Sequence, residues 1–134
     1  MRRTLLAAMM IFVLAGSAAR AHHSYASRFF LDQTVTVEGE IVELRYSNPH
    51  AALKIRTADG VVYTAEWQAA SWLEYHAHVT LTTLRIGDHV IVRGAPSRDP
   101  ALHELARLKE VRRPRDGWTY QVIQTAPATP SPGR

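Results

Sequence analysis

The histidines of this chain offer the clearest candidate chemistry. His22 and His23 follow a short stretch of small residues, and His50 comes directly after an Asn48-Pro49 step. If proteolysis makes His22 the first residue, its α-amine and imidazole can chelate one metal ion, and a further imidazole completes a T-shaped site with three nitrogens. Tetragonal nitrogen coordination suits Cu(II), which also heads the affinity order of the divalent metals. We therefore interpret His22, with His50 or His23 as the further ligand, as a candidate site for copper or a similar cation.

Ordinary roles for the same histidines compete with this hypothesis. A His22-His23 pair is typical of a polar chain end, and His50 can hydrogen-bond the backbone of its own turn. The α-amine and the imidazole must both be deprotonated to bind a metal, and their reference pKa values of about 7.7 and about 6.5 make binding feasible at neutral pH and weak in acid. The copper hypothesis therefore depends on His22 being the first residue of the mature chain.

Aromatic residues and two further histidines are weaker candidates. Trp72 and Tyr75 are candidates for an aromatic platform that stacks on sugars or bases, with core packing as the alternative. Trp67 lies on the inward phase of its strand, which favours the core. His76 and His78 could approach zinc together, but they lack a dependable third ligand. Exposed surface histidines are the alternative for this pair.

The first 21 residues are typical of a cleaved export signal. Arg2 and Arg3 precede an apolar run from Leu5 to Ala15, and small residues lead to Ala19-Arg20-Ala21. The run has eleven residues, about half of the roughly 20 that a membrane-spanning helix needs. We predict a signal peptide over residues 1–21, with cleavage after Ala21 or, as the competing choice, after Ala19. A periplasmic or secreted protein without a transmembrane segment follows from that prediction.

The charge and the composition exclude several function classes. Three of the 16 Lys and Arg lie in the predicted signal, so the formal charge of +4 falls to 13 basic against 12 acidic residues, or +1. A general electrostatic case for nucleic-acid binding therefore fails. The absence of cysteine excludes thiolate metal sites. The remaining basic residues cluster in a run that we interpret as a solvated face: Arg107, Lys109, Arg112, Arg113 and Arg115.

Alternating apolar residues predict a small all-β fold over residues 22–123. The predicted strands cover residues 34–46, 53–56, 61–68, 89–94 and 102–111, with a bulge near Gly39 and a hairpin turn at Asp59-Gly60. A short helix is predicted over 69–78, between the third and fourth strands. This order is that of the five-stranded antiparallel Greek-key barrel called the OB fold, and an open sandwich is the alternative. The Pro-rich residues 124–134 are predicted to form a disordered tail.

Short motifs in a fixed order add a family resemblance. They are His22-His23-Ser24-Tyr25, Val35-Thr36-Val37-Glu38-Gly39, Ser47-Asn48-Pro49-His50 and Gly87-Asp88-His89-Val90. Over roughly Ala21 to Val111 the chain resembles an uncharacterised family of small exported bacterial proteins, the domain of unknown function numbered 6152. The resemblance implies an exported small β-domain and supplies no catalytic residue.

The sequence favours a binding protein over an enzyme. It contains no Gly-x-Ser-x-Gly, no His-Glu-x-x-His and no glycine-rich phosphate loop. The first hypothesis is an exported protein that binds copper through His22. The alternative is a metal-free periplasmic module that binds a small ligand or a protein partner through the barrel face and its aromatic residues. A copper-dependent oxidase ranks last because a small domain leaves limited room for both a metal site and a substrate surface.

Overall fold

The computed structural model describes residues 25–122, which form six β-strands and one α-helix. A helical turn over 25–28 comes first. The elements are β1 (Val35–Arg45), β2 (Ala52–Arg56), β3 (Val62–Glu66), α1 (Ala70–Ala77), β4 (His89–Pro96), a 3₁₀ turn (Pro100–Leu102), β5 (Glu104–Arg113) and β6 (Trp118–Gln121). The predicted signal peptide, the predicted tail, His22 and His23 lie outside the described residues.

Five of the strands close into a barrel in the order β3-β2-β1-β4-β5, and β6 extends the sheet beside β5. The predicted barrel, with a short helix between its third and fourth strands, is confirmed. The prediction of wholly antiparallel pairing is wrong at the closure, where β3 and β5 run parallel through Thr64–Glu104 and Ala65–Leu105. Four antiparallel steps around an odd number of strands leave the first and last strands pointing the same way, so closure requires one parallel pair. The four-residue β6 was not predicted.

The long strand β1 belongs to both halves of the barrel. Its first half pairs with β4 and its second half with β2, and Glu40 pairs in both ladders. The predicted bulge near Gly39 lies slightly later, between Ile41 and Glu43. Gly39 has a different role, because a β-carbon there would lie 2.1 Å from the carbonyl oxygen of Arg56. A glycine at this position lets the backbones of β1 and β2 approach each other closely.

Substitution of Gly39 should therefore destabilise the barrel. The β-carbon of Gly39→Ala can be accommodated only if the backbone of β1 or β2 moves, and we expect a loss of about 2 kcal/mol in the free energy of unfolding. Denaturant unfolding followed by circular dichroism measures this loss. Glu40→Ala, at the neighbouring exposed position, is the matched control and should remain close to the parent. Equal stability of the two variants would contradict the close approach.

The core fills the barrel and is closed by α1. Leu73 of α1 is fully buried, and Trp67, just after β3, is 3% exposed. The indole of Trp67 meets the ring of Tyr120 edge to face, with the centroids 4.9 Å apart. The prediction that Trp67 belongs to the core is thus confirmed. No helix among residues 25–122 has the length and hydropathy to cross a membrane.

The basic run is not a uniformly solvated face, because one of its members is buried. Arg113 is 9% exposed and donates hydrogen bonds to Asp88 Oδ2 at 2.9 Å, to the carbonyl of Thr83 at 2.8 Å and to Asp116. Arg115, which is exposed, reaches the other oxygen of Asp88 at 3.1 Å. The predicted solvation is therefore wrong for Arg113. Its charge is needed there because its partner Asp88 is buried as well, at 4% exposure.

This buried ion pair shifts the pKa of both partners. Burial alone would raise the pKa of Asp88, but hydrogen bonds from Arg113 and from the backbone N–H of Arg85 outweigh it, and the charges of Arg113 and Arg115 add to them. The net result is a lowered pKa for Asp88. Hydrogen bonds to Asp116 and Asp88 raise the pKa of Arg113. Both groups are therefore charged in the folded protein at neutral pH.

Candidate functional site

Three polar side chains from distant parts of the sequence meet beside β3. Tyr25 donates a hydrogen bond from its hydroxyl to Glu66 Oε1. His50 lies next to both, with its Nδ1 3.7 Å from the same Glu66 oxygen and its ring centroid 6.2 Å from that of Tyr25. We call Tyr25, His50 and Glu66 the Tyr25 cluster. It combines a phenol, an imidazole and a carboxylate at one partly exposed place.

The loop between β1 and β2 presents His50, and its backbone is fixed on the N-terminal side. Ser47 Oγ donates to the carbonyl of His50 at 3.2 Å. The side-chain oxygen of Asn48 accepts hydrogen bonds from both the backbone N–H and the hydroxyl of Ser71, at the start of α1. The Asn48-Pro49 peptide bond is cis. The loop is therefore joined to the helix that closes the barrel.

The C-terminal side of the loop is held by the sheet. The backbone N–H of Ala51 donates to the carbonyl of Gln68 at 2.9 Å, and the N–H of Trp67 donates to the carbonyl of Ala51 at 2.8 Å. Ala51 is fully buried. Because β2 and β3 pair antiparallel with Ala52 opposite Glu66, the chain brings His50 to the end of the strand that carries Glu66.

Glu66 has an unusual environment for a carboxylate. Burial raises its pKa, and the negative charge of Glu104 raises it further. Glu104 in turn pairs with Arg28, whose Nη2 lies 3.1 Å from its carboxylate. A cavity of about 80 Å³ opens beside this group, lined in part by Tyr25, Thr64 and Glu66. Glu66 therefore accepts a hydrogen bond from Tyr25 at the wall of a small cavity that solvent or a ligand group can enter.

A distortion of β5 places a cation over Tyr25. The β4–β5 ladder shifts register between Arg93 and Ala95, and Arg107 has a positive φ of 50°, a conformation that costs energy for a residue other than glycine. Its guanidinium carbon lies 5.4 Å from the centroid of the Tyr25 ring. Bulges of this kind redirect a side chain out of the regular ladder. Arg107 thus covers Tyr25 while the Tyr25 hydroxyl holds Glu66.

The other candidates from the sequence lie elsewhere. Trp72 and Tyr75 are 38% and 80% exposed on α1, and both rings pack against His76, with centroid distances of 4.9 and 4.8 Å. A shallow groove lies beside Trp72 and is lined also by His76 and Tyr120. It shares no lining residue with the cavity beside Glu66. Ligand binding at Trp72 and Tyr75 stays a prediction.

The remaining histidines do not assemble a zinc site. His78 ends α1 in a left-handed conformation with φ of 53°. His89 lies on β4, where its Nε2 is 2.8 Å from Glu38 Oε1 on the exposed surface. Within residues 25–122 no three His, Asp or Glu side chains are arranged to hold a metal ion.

The sequence indicated His50 as a candidate site residue, but it did not indicate Tyr25 or Glu66. Tyr25 belongs to one of the motifs of the family resemblance, and no motif or pattern singled out Glu66. One signal could have indicated Glu66. It lies just before the buried Trp67, at the end of β3, and β3 pairs with β2, the strand that follows His50. That signal becomes informative only when the β2–β3 register is known.

Comparison with known proteins places the chain in a family. A family profile matches residues 10–106, which is more than half of the sequence. The chain belongs to the family of unknown function DUF6152. The resemblance stated from the motifs is therefore confirmed, and the matched range includes Tyr25, His50 and Glu66. No curated protein matches the chain of this DUF6152 protein.

Proposed function

We propose that this DUF6152 protein is an exported binding protein that holds one Cu(II) ion between a mature N-terminal His22 and the imidazole of His50. His22 would supply two nitrogens, from its α-amine and its ring, and His50 the third. The observation that carries the proposal is the contact of Tyr25 with His50. It places Tyr25, three residues after His22 in the sequence, beside the histidine of the loop between β1 and β2.

Chain geometry makes the shared site feasible. His22 precedes Tyr25 by three residues, and an extended chain spans at most about 3.6 Å per residue, so their α-carbons can be no more than roughly 11 Å apart. The ring of Tyr25 lies 6.2 Å from that of His50. This limit is compatible with a metal ion bound by both His50 and a residue at position 22. His23 remains the alternative third ligand, and it obeys the same limit.

The chemistry of the donors also suits copper. His50 has a side chain that is 43% exposed, so its ring is open to an incoming ion. Imidazole and amine nitrogens in a tetragonal arrangement are the preferred ligands of Cu(II). The carboxylate of Glu66 supplies a negative charge beside a dication, which favours its retention in a partly buried place. When bound, the ion would be held by this chain as cargo or as a structural ligand.

The decisive experiment compares two chains that differ only at the α-amine. Both begin at His22, and in the second chain the α-amine is acetylated. Titration with Cu(II) at neutral pH should give one tightly bound ion for the first chain. The second chain should lose this site because an acetylated α-amine has no lone pair available for the metal. Circular dichroism of both chains checks that the barrel is unchanged.

Equal copper binding by the two chains would contradict the proposal. Export is tested separately by the intact mass of the protein recovered from the cell envelope, which should correspond to residues 22–134. A mature chain that begins at another residue would leave His22 without a free amine and would refute the proposed ligand set.

A further inference from the structure

We infer that Glu66 is a positioning residue for His50, and this inference rests on the proposed copper site. Its carboxylate accepts the Nδ1 proton of the His50 ring, which leaves Nε2 as the atom that binds the metal. Nothing in the sequence motifs assigns a role to Glu66. The inference follows from the arrangement of the Tyr25 cluster.

The geometry determines which ring nitrogen is available. His50 Nδ1 faces Glu66 Oε1 at 3.7 Å, just beyond hydrogen-bond distance, and the His50 side chain is exposed enough to rotate the small amount needed. With Nδ1 directed at the carboxylate, Nε2 lies at the other side of the ring. A neutral imidazole with its proton on Nδ1 has its lone pair on Nε2, and that lone pair is what a metal requires.

Tyr25 makes Glu66 a fixed partner rather than a mobile surface carboxylate. Its hydroxyl donates to the same oxygen, Oε1, that faces His50. The Tyr25 ring is itself held by the ring of Phe29, with centroids 5.9 Å apart, and is covered by Arg107. The phenol of Tyr25 therefore contacts the carboxylate of Glu66, which in turn faces the imidazole of His50. Metal-binding histidines commonly donate their second ring N–H to a carboxylate in this way, and that partner orients the ring and raises its basicity.

The chain provides a matched control for this arrangement. Glu38 and His89 form a second carboxylate–imidazole pair, 2.8 Å apart, on the exposed surface of β1 and β4. Their pair has the same chemistry as Glu66 and His50 but belongs to a different part of the barrel. Glu38→Gln therefore removes an equivalent charge and an equivalent partner without touching the Tyr25 cluster.

The test uses the chain that begins at His22, with Glu66→Gln, Tyr25→Phe and Glu38→Gln variants. In the metal-free protein, long-range proton–nitrogen NMR spectra of the neutral rings should show His50 with its proton on Nδ1, and Glu66→Gln should shift the ring away from that tautomer. Competition with a chelator should show that Glu66→Gln lowers Cu(II) affinity by about 10- to 100-fold. Tyr25→Phe should give a smaller loss, and Glu38→Gln should match the parent.

Electron paramagnetic resonance of the copper-loaded proteins separates positioning from ligation. Glu66→Gln should retain the nitrogen couplings of the parent, since the ligand atoms are unchanged. Loss of an oxygen ligand in that variant would make Glu66 a ligand and would overturn the positioning role. If the parent binds copper and Glu66→Gln binds it equally well, the inference fails while the proposed function stands. If the parent binds no copper, the proposed function fails, and the inference falls with it.

Discussion

Replacement of His50 by alanine should lower Cu(II) affinity more than any other single substitution within residues 25–122. The substitution removes one of the three proposed nitrogen ligands, and the loss should exceed the roughly 10- to 100-fold that removal of an outer partner costs. His50 is the only member of the Tyr25 cluster with a ring nitrogen to offer. Its loop is fixed by the hydrogen bond from Ser47 Oγ to the His50 carbonyl and by the backbone hydrogen bonds of Ala51. None of these involves the imidazole, so we expect the barrel of His50→Ala to fold normally.

Chelator competition with the chain that begins at His22 measures this effect, and electron paramagnetic resonance should show the loss of one imidazole. His89→Ala is the control, because His89 is also an exposed histidine beside a carboxylate. Its copper affinity should remain that of the parent. Equal losses in the two variants would mean that copper binds to surface histidines without selectivity, and an unchanged His50→Ala would point to His23 as the third ligand.

Replacement of Asp88 by alanine should cost about 3 kcal/mol of stability. Asp88 is buried and accepts hydrogen bonds from Arg113 and from the backbone N–H of Arg85. Its removal leaves the buried Arg113 guanidinium with the exposed Asp116 as its remaining carboxylate partner. A buried charge that loses its buried partner is costly because the surrounding protein solvates it poorly. The cost lies at the low end for a broken buried pair, since Arg113 retains some access to solvent.

Chemical denaturation measures the loss, and its pH dependence tests the cause. Because the pKa of Asp88 is lower in the folded protein than its ordinary value, its stabilisation is complete above about pH 4 and is lost as the pH falls through the lowered value. The difference in unfolding free energy between the parent and Asp88→Ala should therefore shrink in acid. Asp116→Ala removes the exposed partner of Arg113. It should lower the free energy of unfolding at neutral pH much less than Asp88→Ala does. A pH-independent difference for Asp88→Ala would rule out the ion pair as its origin.

The strands, the hairpin turn and the helix of the barrel could be predicted because the sequence patterns that indicate them are local. Alternation of apolar residues, the Asp59-Gly60 turn and the non-alternating segment around α1 each depend on neighbouring residues, and all three are confirmed. The parallel closure of β3 and β5 is a property of the complete ring of strands, which no single segment reveals. The same holds for Gly39, whose small size is required by the backbone of Arg56 in another strand.

The partners of charged residues were harder to predict than the fold. Arg113 lies in a run of basic residues whose pattern favours a solvated face, yet its partner Asp88 belongs to a turn before β4 and faces the interior. In the candidate site, His50 was recognisable from its residue type and its loop. Glu66 was not, because only the pairing of β2 with β3 brings its carboxylate to the imidazole.

The most direct test of the shared site is a crystal structure of the chain that begins at His22 with one equivalent of Cu(II). We expect a single ion at about 2.0 Å from each of three nitrogens. These are the α-amine and ring nitrogen of His22 and Nε2 of His50, with Glu66 beside Nδ1. A copper ion coordinated elsewhere, or one bound at His22 with the His50 ring turned away from it, would contradict the account.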